Sequence, residues 1–159
     1  MLNFNVSTMI YQPVKQVFDF MSTPENDFQW QYATLETARL SESVNGIGSF
    51  YRSISNLMGR RNISTFEVTE YKPNKKYSFK SLSGPLRSQT SYSFETSKSC
   101  TKINISMQAN VIDFFQKDES LVEKHLRRQL KENLSMLKVL LETKRTSLAS
   151  EPGSCTTVI

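Results

Sequence analysis

Near Phe115 the hydrophobic period of this chain changes, and that change limits what it can fold into. From Ala33 to Val111 the residues alternate with a period of two, the spacing of a half-buried β-strand. Phe50, Arg52 and Ile54 share one side of a strand, and Tyr77 and Phe79 do so in another. Thr90, Tyr92 and Phe94 line a third, and Ile103, Ile105, Met107 and Ala109 a fourth. The breaks between runs carry turn residues: Asn45-Gly46, Gly59, Pro73-Asn74, Ser83-Gly84-Pro85 and the weaker Lys98-Ser99. Breaks this short imply hairpins, hence an antiparallel meander.

Beyond Phe115 the period is 3.6. At 100° per residue from Leu126, the residues within about 60° are Val122, Gln129, Leu130, Asn133, Leu137, Leu140 and Leu141, an amphipathic stripe ending near residue 143. Asp118 and Glu119 at its start and Lys144 and Arg145 at its end suit the helix dipole. A helix of about 25 residues is about 38 Å long, enough to cross a small sheet. Upstream of the meander, residues 3–10 read as a strand with Phe4 and Val6 on one face. Pro13 suits the first position of a short helix carrying Val14, Val17, Phe18 and Met21, and Thr23 suits the cap of a second carrying Phe28 and Trp30. Residues 144–159 lack periodicity and are expected to form a disordered tail, with residues 1–143 as a single domain.

The arrangement is α+β: a curved antiparallel sheet of about six to seven strands, two short helices after the first strand, and a long C-terminal helix. Of the chain's 159 residues, 38% are hydrophobic, with ten Phe, six Tyr and one Trp, which supports a packed core without disulfide or metal staples. One His and two Cys exclude a zinc site built from several such ligands, and no metal or cofactor is expected. The turn and tail positions of Cys100 and Cys155 favour free thiols. No stretch approaches the roughly 18 apolar residues of a membrane span, and Met1 to Val6 lack a basic and then apolar leader. The expected compartment is therefore the cytoplasm, without stable membrane insertion. A net charge of +5 is a modest basic bias that prescribes no partner.

Several segments resemble a known family. Pro13-Val14-x-x-Val17-Phe18-Asp19-Phe20-Met21, Pro24-Glu25-Asn26, Trp30 and Gly46-Ile47-Gly48-Ser49-Phe50 are similar to the opening of the START-like superfamily, in its polyketide cyclase/dehydrase (SRPBCC) branch. Phe66-Glu67-Val68-Thr69-Glu70-Tyr71-Lys72-Pro73-Asn74 and Tyr92-x-Phe94 resemble its middle strands, so the likeness spans about residues 3–143. It implies the helix-grip fold, with a hydrophobic pocket between the sheet and the long helix. It implies no reaction, because members include lipid carriers, hormone binders, cyclases and chaperone regulators. Lys98-Ser99-Cys100 departs from the pattern where a glycine-bearing turn is expected.

Asn133 lies near the middle of the apolar stripe with Gln129 one turn before it, and a buried amide needs partners. The pair either orients a ligand or bonds to the sheet or a Tyr. Arg52 is an anion anchor if its strand face points inward, and reaches solvent if it points outward. Trp30 with Phe28 and Tyr32 either forms a lip over the pocket mouth or packs as a lone Trp. The candidate cavity residues are Trp30, Phe50, Arg52, Phe79, Tyr92, Met107, Gln129, Asn133 and Leu137. Lys124, Arg127, Arg128, Lys131 and Lys138 lie opposite the stripe, where Glu132 interrupts them, and read as a solvated face rather than a nucleic-acid surface.

The expected function is binding or carriage of a small hydrophobic or amphipathic molecule between sheet and helix, without catalysis. A cyclase- or dehydratase-type enzyme is the alternative, with Glu67, Glu119 or His125 as its acid or base. A protein-interaction module using the basic helix face is a third. No oligomeric state follows from the sequence.

Overall fold

The computed structural model describes residues 1–41, 46–111 and 118–145. Strand β1 (Leu2–Ile10) leads to helix α1 (Val14–Met21), a 3-10 turn at Pro24–Asn26 and the short helix α2 (Asp27–Trp30). Six strands follow: β2 (Thr34–Arg39), β3 (Phe50–Leu57), β4 (Arg60–Lys72), β5 (Lys76–Ser83), β6 (Leu86–Ser97) and β7 (Cys100–Val111). Helix α3 (Glu119–Arg145) closes the order. The seven strands form one sheet in the order β1-β7-β6-β5-β4-β3-β2, antiparallel at every pairing. The expected tail falls in part on residues 146–159, which lie outside the described residues.

The sheet curves because its strands are irregular where it must bend. The β4/β5 register shifts between Thr65 and Phe66 and again between Val68 and Glu70, and the β2/β3 register shifts between Thr34 and Glu36. Such bulges add local twist and turn a strand. Helix α3 lies against β1 and α2. Its buried face holds Val122, Leu126, Asn133, Leu134, Leu137 and Leu141; Leu134 was not in the expected stripe, and Gln129, Leu130 and Leu140, which were, are half-buried. Helix α1 buries Val17, Phe18 and Met21. Pro13 sits one position earlier than expected, as the residue that caps α1. Thr23 precedes the 3-10 turn without capping it, and its hydroxyl instead donates to the Asp19 carbonyl at 2.8 Å.

Two apolar clusters make the core. The larger joins α1, α2 and the sheet through an aromatic network in which Phe18 meets Phe94 at 5.1 Å and Tyr71 at 5.5 Å, both edge-on. The smaller joins Leu2, Phe4 and Ala109 to Val122 and Leu126 of α3, and Leu130 packs against both clusters. Cys100 is buried at the start of β7; Cys155, the other cysteine of the free-thiol expectation, lies outside the described residues.

Two turns show how backbone conformation is accommodated. Lys98, where a glycine was expected, adopts the left-handed region at φ 58°, a conformation that non-glycine residues take at a cost. Gly84 has φ 119°, and a Cβ there would collide with the Ser64 hydroxyl and lie 3.0 Å from Ser64 Cβ and 3.3 Å from its Cα. Gly84→Ala is therefore expected to cost about 1–3 kcal/mol from strain at that φ. A shift of the urea midpoint at unchanged slope checks it, and an unshifted midpoint refutes it.

The sheet also corrects one reading of side. Phe50, Arg52 and Ile54 do share a face of β3, but it is the outer one. Phe50 is 40% exposed, whereas Tyr51 is 1% exposed and stacks on Phe66 at 5.5 Å. Alternation alone cannot tell the two faces of Phe50-Tyr51 apart, because an aromatic residue stands on each, and a choice one residue off inverts the strand. The Arg52 guanidinium meets Glu36 on β2 at 3.5 Å and does not enter the interior.

Candidate ligand cavity

Between the concave face of the sheet and α3 lies a cavity of about 230 Å³, larger than the roughly 150 Å³ that holds benzene. Its wall draws on both apolar clusters. Helix α2 contributes Asp27 and Trp30, and α3 contributes Leu126, Gln129, Leu130 and Asn133. Phe66 of β4, Phe79 of β5, Tyr92 and Leu86 of β6, Ile105 and Met107 of β7 and Leu57 of β3 supply the apolar part of the sheet wall.

The rest of that wall is hydroxyl-rich. Ser53 and Ser55 come from β3, Ser64 from β4, Ser81 from β5, and Ser88 and Thr90 from β6. These residues stand on the same strand faces as Tyr51, Phe66, Phe79 and Tyr92, spaced by twos, so each inner face passes from large aromatics to small polar side chains. The aromatic end packs solid. The small end cannot fill the gap beneath α3, which is the physical origin of the space.

Two polar atoms on this wall are buried with no partner: Trp30 Nε1 and Asn133 Oδ1. Trp30 is 2% exposed and Asn133 6%, and an unpaired buried polar group costs free energy. Among the described lining residues there is no Lys, Arg or His, and Asp27 supplies the one carboxyl. Burial pushes that carboxyl well above the usual range, and the nearby Glu25 charge pushes in the same direction. Tyr92, meeting Trp30 edge-on at 6.1 Å, is likewise pushed up by burial and then by Asp27 and Tyr77, with a Gln31 hydrogen bond opposing.

No family model matches the chain, and no curated protein matches it in sequence. Solved structures do match. A START superfamily protein from Mycobacterium smegmatis superposes with a TM-score of 0.77 at 14% identity, over 89% of this chain and 97% of that one. The protein TTHA0849 from Thermus thermophilus gives 0.75 at 17% identity, over 94% and 100%. The Zhui aromatase/cyclase from Streptomyces sp. R1128 gives 0.73 at 12% identity, over 89% and 93%. The fold is the helix grip. At these identities the likeness is one of fold.

Within the helix grip, Trp30, Phe79, Tyr92, Met107, Gln129 and Asn133 stand on the cavity wall. Phe50 and Arg52 stand on the outer face, as described above. Leu137 is fully buried one turn beyond Asn133, within the larger cluster, and is not on the wall. Phe28 and Tyr32 are 54% and 67% exposed, so they form no lip with the buried Trp30. Glu67 faces Lys80 at 3.9 Å, Glu119 is exposed and His125 half-buried, and none of the three lines the cavity.

Asp27 escaped the sequence reading. Its one legible signal is the spacing of three to Trp30, which puts both on one side of a helical turn.

Proposed function

We propose that this chain binds a small amphipathic molecule in the cavity between the sheet and α3. The observation that carries the reading is the pair of buried, unpaired polar atoms, Trp30 Nε1 and Asn133 Oδ1, on the wall of an otherwise closely packed interior. A bound molecule with an acceptor and a donor would satisfy both, and its apolar part would contribute about 25 cal/mol per Å² buried. A volume of about 230 Å³ suits one or two rings and falls below the usual range for drug-sized ligands. An enzyme of cyclase or dehydratase type would have Asp27 and the buried Tyr92 for acid–base work on the described wall, with no His or Lys beside them, so the binding reading is the better supported.

Native mass spectrometry of freshly purified protein, followed by organic extraction, tests the proposal. A stoichiometric adduct lost on denaturation supports it. Conversion of the extracted molecule on incubation with the protein would favour the enzyme instead. For the released ligand, Asn133→Leu is expected to weaken binding about fivefold to a hundredfold, the worth of a hydrogen bond in a buried site. The same change should raise stability of the free protein by about 1 kcal/mol, because it removes an unsatisfied polar group. Opposite signs in the two measurements distinguish a ligand contact from a structural amide. Unchanged affinity would remove Asn133 from the site.

In the described residues no helix is long and apolar enough to cross a membrane. On α3, Lys124, Arg128 and Lys131 are exposed, which supports a solvated face there, whereas Arg127 lies over the Phe4 ring and Lys138 donates to the Met9 carbonyl at 2.7 Å, so these two pack toward β1.

A further inference from the structure

We propose that the cavity is selective for a cationic amphiphile, an aromatic amine whose ammonium group pairs with Asp27 and whose rings lie among Trp30, Phe66, Phe79 and Tyr92. The inference rests on the binding function proposed above and names its ligand class. Three features of the wall converge on it.

The first is charge. Among the described lining residues Asp27 is the one carboxyl and no basic side chain is present. A carboxylate or phosphate ligand would be buried without a counter-charge, beside an acid, at high cost. The second is hydrogen bonding. Asn133 Oδ1 is a buried acceptor without a donor, and the carboxyl of Asp27, a residue 9% exposed, is a second acceptor on the same wall. An ammonium group brings three N–H donors, whereas an alcohol offers one O–H against two acceptors. The third is the aromatic wall, whose ring faces attract a cation where water is excluded. Trp30 Nε1, the unpaired donor, would accommodate an acceptor such as a ring hydroxyl on the same ligand.

The charged and titratable groups around Asp27 come from every side. Glu25 stands on the preceding turn and pairs with Arg39 of β2 at 3.9 Å. Tyr51 of β3, Tyr77 of β5 and Tyr92 of β6 all sense the Asp27 charge. Helix α3 presents the uncharged Gln129 and Asn133. In the free protein, burial and Glu25 favour the protonated acid, whereas an ammonium partner favours the carboxylate. Binding therefore releases a proton, and affinity rises as pH rises through the Asp27 pKa of the free protein, until the amine itself loses its charge.

The test uses three probes of one shape, naphthylmethylamine, naphthylmethanol and naphthoic acid, titrated calorimetrically in two buffers of different ionisation enthalpy near neutral pH. The amine is expected to bind at least about tenfold tighter than the alcohol, with the acid weakest, and with a buffer-dependent heat that reports proton release. Asp27→Asn should bring the amine within about threefold of the alcohol. Proton release is read on the unaltered protein and does not depend on the variant folding. If the alcohol binds as well as the amine, or the amine binds with no proton released, the amine proposal is overturned and the cavity proposal stands. If no probe binds, both are overturned.

Discussion

Phe18→Ala is expected to destabilise the protein by about 3–5 kcal/mol, the range for removing a phenyl ring from a core. Phe18 is 1% exposed and holds edge-on contacts to Phe94 of β6 and Tyr71 of β4 at 5.1 and 5.5 Å, each adding to its area burial. The ring is the point where α1 is fastened to the sheet, and Val17 and Met21 flank it in the same cluster. Because its neighbours are fixed strand residues, the site has little room to collapse, which places the cost high in that range. Urea unfolding followed by fluorescence measures it. A loss below about 1.5 kcal/mol would mean that α1 is not anchored as described.

Asp27→Asn is expected to raise stability at neutral pH, the reverse of the usual outcome for a buried polar site. In the unfolded chain an Asp titrates near 3.9, at about the ordinary value. In the folded protein burial, and then Glu25, raise it well above that. Between the two values the native state holds a proton that the unfolded state has lost, so stability falls as pH rises, by up to about 1.4 kcal/mol per pH unit. Below the unfolded value the group contributes no difference, and above the folded value the full loss remains. Glu70 acts with the opposite sign, because the Ser78 hydroxyl and then Lys76 hold its carboxyl low. It is unaltered in the variant and cancels in the comparison. The measurement is the difference in unfolding free energy between Asp27→Asn and the parent at a series of pH values. A flat difference, or a less stable variant at pH 7, would show that the Asp27 carboxyl is not held protonated.

The elements that were legible in the sequence are those whose period runs long. Ile103 to Ala109 alternates cleanly against polar neighbours, and β7 follows it with Ile103, Ile105 and Ala109 buried. The α3 stripe runs through more than five turns, so one misplaced residue, Leu134, does not blur it. Side, in contrast to period, was lost where both faces look alike, as at Phe50 and Tyr51. The hydroxyl wall was hidden for a related reason. Ser53, Ser64, Ser81 and Ser88 look like outward residues by composition, while the apolar Ile63 and Leu82 beside them are 58% and 44% exposed. What places the serines inside is the register set by Phe66, Phe79 and Tyr92 further along each strand, and tertiary context overrides polarity there. Asp27 sits in a segment of two short helical turns, too brief for any period to declare a face.

The pairing of the first strand with the last has a consequence for how the chain is made. β1 joins the sheet only through β7, with Leu2 opposite Ala109. At a synthesis rate of roughly 5–20 residues per second, about a hundred residues separate the two partners by some 5–20 s on the ribosome. Through that interval Leu2, Phe4 and Val6 have neither β7 nor α3 to cover them, and an uncovered strand edge is a template for pairing with other chains. The hairpins from β3 to β7 can form as they emerge, because each closes on its immediate neighbour. Closure of the sheet, and with it the cavity, waits for the distant pair, so the nascent protein is most exposed to aggregation just before its ligand site exists.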